Sequence, residues 1–169
     1  VFNNPVEIIS TEKMENVLPA LDRIELAVSR GLYAAGFISY EAAPAFDAAL
    51  KVHPPTPFPL LWFGLFNDIE TVEKPNVSHK DFSVGGWNAL VSKDEYLAAV
   101  RQIKDLIAAG DAYQVNYTFP MRASFRGDPL SWFWQLCDSQ QADHCSFVDT
   151  GRFQILSASP ELFFRLEGD

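Results

Sequence analysis

Residues 110–125 read GDAYQVNYTFPMRASF, and residues 153–169 read FQILSASPELFFRLEGD. In the first stretch Tyr113, Val115, Tyr117 and Phe119 alternate with Gln114, Asn116 and Thr118. A period of two sends successive side chains to opposite faces of a strand, so the spacing predicts a strand over 113–119 with an aromatic face and an amide face. The amide row is either the wet side of a half-buried strand or one wall of a polar ligand site, and alternation alone favours the first. In the second stretch Ser-Ala-Ser-Pro leads into a predicted strand over 161–166, with Glu161, Phe163 and Arg165 on one face. Glu161 and Arg165 can pair as a structural salt bridge. Alternatively, a glutamate in a partly desolvated cleft titrates above its usual range and serves as a general acid. Side-chain physics alone favours the salt bridge.

Just before the first stretch lies the best-defined helix. Ser92 and Glu95 have the spacing of a capping box, in which each side chain satisfies the other's free backbone amide. Tyr96, Val100, Ile103 and Ile107, joined by Ala99 and Leu106, form an apolar stripe expected to face the core. Arg101, Gln102, Lys104 and Asp105 fall on the wet side. Gly110 ends the helix.

The flanking segments complete an α+β reading, with antiparallel sheet packed against helices. Val6–Ser10 is a strand candidate. Met14, Val17, Leu18, Leu21, Ile24 and Val28 mark an amphipathic helix whose first turns contain Pro19 and whose end is at Gly31. Strands are predicted over 32–42, where Ala34, Ala35 and Gly36 suggest close approach by a neighbouring backbone, and over 59–66. Weaker strands are predicted over 68–73 and 83–90, with Gly85-Gly86 as a turn or bulge. Residues 51–59 hold four prolines and read as a loop. Glu41 reads as an exposed strand end and His53 as a surface histidine without a second ligand at metal spacing. A short helix is expected over 129–137, capped by Asp128, with Trp132, Phe133 and Trp134 as core. A hairpin is expected around Asp149-Thr-Gly151.

Composition narrows the function. The 169 residues are 48% hydrophobic and 14% aromatic, which is globular rather than disordered, and the formal charge of -9 argues against a nucleic-acid partner. Cys137 and Cys145 are too few for a disulfide scaffold and stand at no metal spacing; they read as two packed thiols of a reduced, cytoplasmic chain. No signal peptide and no membrane span is visible. No phosphate loop and no nucleophile constellation appears.

The run VSKDEYLAAVRQIKDLIAAGDAYQVNYT together with ILSASPELFFRLEGD resembles the chorismate-utilising enzymes, whose first component subunits make aminodeoxychorismate and anthranilate. GFISYEAAPAF at 36–46 and LLWFGLF at 60–66 look like the N-terminal part of the para-aminobenzoate (aminodeoxychorismate) branch. The resemblance implies half of a chorismate-binding sandwich: a single N-terminal portion over 1–169, sheet-rich to residue 90, with the start of the chorismate-binding core from 91. It implies Glu161 as the acid at the C4 hydroxyl of chorismate, and Gln114, Asn116 and Ser159 as substrate contacts. Gln114 lies where isochorismate synthases carry a water-activating lysine, so the resemblance points to amination, with ammonia from a glutamine amidotransferase subunit. Mg²⁺ is implied as cofactor, its ligands in a C-terminal half that this chain lacks, as is a Pro-Ile-Lys-Gly-Thr motif carrying the branch's nucleophilic lysine. The chain alone is therefore expected to be inactive and to self-associate through an uncovered apolar face. The alternatives are anthranilate synthase component I and a non-catalytic tryptophan-binding regulatory module.

Overall fold

The computed structural model describes residues 1–54, 56–73, 82–141 and 143–168. It contains helices and antiparallel sheets, an α+β fold as expected, organised as two compact units: Val1–Asn76 with Gln140–Asp169, and Val77–Ser139.

In the first unit, strand β1 (Glu7–Thr11) leads through a short 3-10 turn at Met14–Asn16 into helix α1 (Val17–Ser29). Pro19 stands at the third helical position, where the backbone amide has no intrahelical acceptor to lose. Gly31, at φ 94, carries the chain out of the helix in the left-handed region that favours glycine. Strand β2 (Tyr33–Ile38) follows, then a 3-10 turn at Tyr40–Ala45 where the sequence had suggested more strand. Pro44, inside that turn, cannot donate to a ladder. Strand β3 (Leu61–Phe66) runs antiparallel between β1 and β2, with Phe63 opposite both Ile9 and Gly36. Its central place explains its almost continuous apolar sequence. Gly36 has the predicted close approach: a Cβ there would lie 2.6 Å from the Phe63 Cα. The core is Ile9, Leu61 and Leu65 of the sheet against Val17, Ala20 and Ile24 of α1, closed by Ala42 and Leu60.

The same unit holds the expected hairpin, longer than its sequence signal. Strands β8 (His144–Asp149) and β9 (Gln154–Ser159) pair from His144↔Ser159 to Asp149↔Gln154. At the turn Asp149 Oδ1 accepts from the Gly151 amide (2.7 Å), and Thr150 Oγ1 accepts from the Phe153 amide (2.8 Å). Phe153 packs edge-on to Phe58, and Arg152 reaches Glu12 at 3.3 Å.

The second unit holds β4 (Phe82–Val84) paired with β7 (Phe125–Gly127), and β5 (Asn88–Ala89) paired with β6 (Met121–Arg122). Helix α2 (Lys93–Ala109) carries the capping box: the Ser92 amide donates to Glu95 Oε2 (2.8 Å) and the Glu95 amide to Ser92 Oγ (3.2 Å). Helix α3 (Pro129–Gln140) starts at Asp128, whose carboxylate accepts from the Ser131 hydroxyl (2.6 Å) and amide (2.8 Å). Phe133 is buried, and Trp132 lies in a ring cluster with Phe82, Trp87 and Phe125. Cys137 and Cys145 are half-buried thiols.

Five expectations need correction. No residue of α2 is buried, so its apolar stripe is not a core stripe; Ala99, Val100 and Ile103 are half-covered and Tyr96, Leu106 and Ile107 exposed. Residues 113–119 and 161–166 form no ladder, although their alternation is strand-like. Alternation assigns faces to a segment but supplies no partner, and among the described residues no strand pairs with either. Residues 68–73 are likewise irregular. Finally, Arg165 pairs with Glu167 (3.6 Å), both exposed, rather than with Glu161.

Candidate functional site

Gln114 and Asn116 belong to the second unit. Gly110, at φ 85, stops α2 and turns the chain into the 111–120 segment. Tyr117 and Phe119 pack on Tyr96 of α2, with ring centroids 5.7 and 5.6 Å away. Gln114, Asn116 and Thr118 are exposed, as are Tyr113 (94%), Val115 and Tyr117. Gln114 Nε2 points to Asn116 Oδ1 at 3.4 Å, a long contact that puts the two amides on one side. Gln114 and Asn116 thus share a side without a ladder. Regular pairing begins where the Leu90 amide donates to the Pro120 carbonyl (2.9 Å).

Ser159 and Glu161 belong to the first unit. The Ser159 hydroxyl accepts from the Glu161 amide (3.1 Å) and donates to the Glu161 carbonyl (2.9 Å). This tight turn spans Pro160, which has no amide of its own to satisfy. Ser159 is half-buried at the end of β9, so the hairpin fixes the backbone from which Glu161 projects, and Glu161 itself is exposed. A carboxylate in this position is accessible to a ligand, while its desolvation has to come from that ligand.

Among the described residues two carboxyls are held below their usual range, and both belong to helix N-termini: Asp128 before α3 and Glu95 in the capping box of α2. Glu95 is lowered by hydrogen bonding to the Ser92 side chain and then its amide, and Asp128 by the Ser131 hydroxyl and then its amide. Perturbed acids mark functional sites only when geometry agrees; here each has a complete structural explanation.

One feature of the first unit was not legible in sequence. Glu41 and His53, read separately as an exposed strand end and a surface histidine, line one cavity of about 70 Å³ with Glu12, Met14, Val52 and Leu60. Ligand pockets usually run to several hundred Å³, so it suits a water or a small ion rather than an organic substrate. Among the described residues no group of three or more His, Cys, Asp or Glu side chains can hold a metal ion. The Mg²⁺ implied by the resemblance thus finds no ligand set here. No helix among the described residues is long and apolar enough to cross a membrane.

Residues 69–169 match the family model described as chorismate binding enzyme, and the chain belongs to that family. Over 84 residues it is 38% identical to aminodeoxychorismate synthase component 1 of Klebsiella aerogenes, an alignment covering 49% of this chain and 19% of that protein. Over 92 residues it is 28% identical to anthranilate synthase component 1 of Aquifex aeolicus, covering 54% of this chain and 19% of the relative. The fold matches the crystal structure of anthranilate synthase component I from Streptococcus pneumoniae TIGR4 with a TM-score of 0.72 at 19% identity, over 95% of this chain and 49% of that one. The aligned stretch thus spans about a fifth of the curated relatives, and the whole chain about half of the solved structure. At that identity the structural likeness speaks for the fold alone.

Proposed function

We propose that this chain is part of an aminodeoxychorismate synthase component I, which aminates chorismate at C4 with ammonia from a glutamine amidotransferase partner. The supporting observation is the pair of motifs GDAYQVN and SASPEL, in a chain whose family membership covers both. Identities of 29–38% to aminodeoxychorismate synthase component 1 relatives, against an overlapping 23–31% to anthranilate synthase component 1 relatives, lean toward the first product.

In this reading Gln114 and Asn116 offer amide donors and acceptors to the hydroxyl and carboxylate groups of chorismate. A carboxamide cannot take a proton from water at neutral pH, which suits attack by ammonia better than by water. Glu161 gives a proton to the departing C4 hydroxyl, and Ser159 sets its backbone through the two hydrogen bonds across Pro160. Protonation of the leaving group lets it go as water, a role for which a glutamate desolvated by bound substrate is well suited.

The sequence contains no Pro-Ile-Lys-Gly-Thr motif, and no metal ligand set occurs among the described residues. The chain alone is therefore expected to bind chorismate without turning it over. Titration calorimetry with chorismate tests the first half: a saturable heat weakened by Gln114→Ala supports the reading, and no saturable heat contradicts it. Incubation with chorismate, ammonium and Mg²⁺, followed by mass spectrometry, tests the second. Native-like turnover would show that nothing essential is missing, and anthranilate as product would favour the other branch. In an active polypeptide carrying this segment, Glu161→Gln should lower amination by ~10²–10⁴-fold. Near-normal activity would remove Glu161 from the mechanism.

A further inference from the structure

The β8–β9 hairpin has two unlike faces. At the end away from its turn, register and alternation put Cys145, Phe147, Leu156 and Ala158 on one face, all half-buried. The other face carries His144, Ser146, Ser157 and Ser159. Ser146 and Ser157 are exposed, and His144 is half-buried. A strand pair commonly turns one polar face to water, so the serines alone need no explanation. The histidine does, because of what stands beside it.

His144 is directly opposite Ser159. Side chains paired in this way have Cβ atoms about 4.5–5.5 Å apart. Ser159 Oγ in turn bonds both the amide (3.1 Å) and the carbonyl (2.9 Å) of Glu161. For one hydroxyl to reach both groups, the Glu161 backbone has to fold back over the face on which the Ser159 side chain stands. That is the His144 face. The imidazole and the carboxylate therefore share one side of the hairpin end, with Ser159 between them. Among the described residues no hydrogen bond or ion pair engages either the His144 imidazole or the Glu161 carboxylate.

Charge indicates what the imidazole is for. Chorismate approaches Glu161 with anionic carboxylates, which a glutamate by itself opposes. The guanidinium groups of this region already have partners. Arg165 pairs with Glu167 (3.6 Å), and Arg152 pairs with Glu12 (3.3 Å) at the turn end of the hairpin. An imidazole offers an N–H, and a hydrogen bond from it to a carboxylate is charge-assisted and among the stronger kinds.

We propose that His144 is a further substrate-binding residue of the Glu161 site, donating a hydrogen bond to a carboxylate of the anionic ring substrate. The assignment rests on the chorismate reading given above.

Titration calorimetry of the full chain with chorismate, paired with nuclear magnetic resonance of the His144 ring, tests it. His144→Ala should raise the dissociation constant about tenfold or more, since a charge-assisted hydrogen bond is lost. His144→Gln keeps an N–H donor and should recover part of that affinity. His53→Ala, in the proline-rich loop, should leave binding unchanged. The His144 ring resonances should move as chorismate saturates the chain. In the free chain the ring protons should show nuclear Overhauser effects to the Ser159 β-protons. Should His144→Ala lose the far-ultraviolet signal of the native chain, His144→Phe, a ring without a donor, takes its place and must weaken binding likewise. Equal affinity of the donor-less variant and the native chain, or ring resonances unmoved at saturation, overturns the assignment and leaves the chorismate reading standing. No saturable heat with the native chain overturns that reading, and the assignment with it. Missing Overhauser effects between the His144 ring and Ser159 overturn the assignment whatever chorismate does.

Discussion

The two units use their helices differently. Helix α1 lies on the β1–β3–β2 sheet, and Val17, Leu61 and Leu65 are almost completely inaccessible. Helix α2 is longer, better capped and as clearly amphipathic, yet none of its residues is buried. An apolar stripe states that a face stabilises the fold when covered; it does not say by what. For α1 the cover is a sheet whose central strand is apolar on both faces. For α2 the aromatic face of 113–119 covers only the first turn, at Tyr96. The chain thus has an anchored part and a presenting part, and both amide side chains proposed to touch substrate belong to the presenting part.

Substitutions should separate the two. Leu61→Ala empties a fully buried site at the centre of the sheet and should cost ~2–5 kcal/mol of unfolding free energy in a denaturant titration. A loss below ~1 kcal/mol would mean that the core described here is not the stabilising one. Gly36→Ala forces a Cβ against the Phe63 backbone and should cost ~1–3 kcal/mol; a silent substitution would show that β2 and β3 are further apart. Ile103→Ala, on the half-covered face of α2, should cost less than about 1 kcal/mol in dilute solution, since little area leaves water there. A cost matching that of Leu61→Ala would abolish the contrast.

The smallest effect is pH-dependent and belongs to the second unit. Glu95 and Asp128 have folded-state pKa values below their ordinary 4.5 and 3.8. A carboxyl depressed by folding adds stability that is complete above its ordinary value and disappears as pH falls through the folded one. The helical thermal midpoint should therefore drop between about pH 5 and about pH 3, and the double variant Ser92→Ala/Ser131→Ala should flatten that drop. An unchanged slope in the double variant would mean that other groups titrate.

Much of this was legible in the sequence because the signals are local. The Ser92–Glu95 capping box, the Asp128 cap, Gly110 as helix stop and the Asp149-Thr-Gly151 turn depend on residues within four positions of one another, and all occur. The close approach at Gly36 was legible because only a small residue fits against a neighbouring backbone. The strands expected over 113–119 and 161–166 do not form, because a ladder needs a distant partner, which periodicity cannot supply. The Glu41–His53 cavity was missed for a related reason: a carboxylate of the Tyr40–Ala45 turn, not the exposed strand end expected, and a proline-rich loop meet only through the fold. At the candidate site, alternation correctly put Gln114 and Asn116 on one side. The Ser159 bonds to Glu161 were not anticipated, although a serine two residues before the acid, across a proline, is their local signal.

Chorismate is proposed to engage the exposed 111–120 and 160–168 segments, while β1–β3 and α1 form the anchored core. Hydrogen exchange followed by mass spectrometry, with and without chorismate, measures this directly. Amides of β1–β3 and α1 should be protected in both conditions, while 111–120 and 160–168 exchange fast in the free chain and slow down with chorismate present. Equal protection of all these segments in the free chain, or exchange in 111–120 and 160–168 that chorismate leaves unchanged, would contradict it.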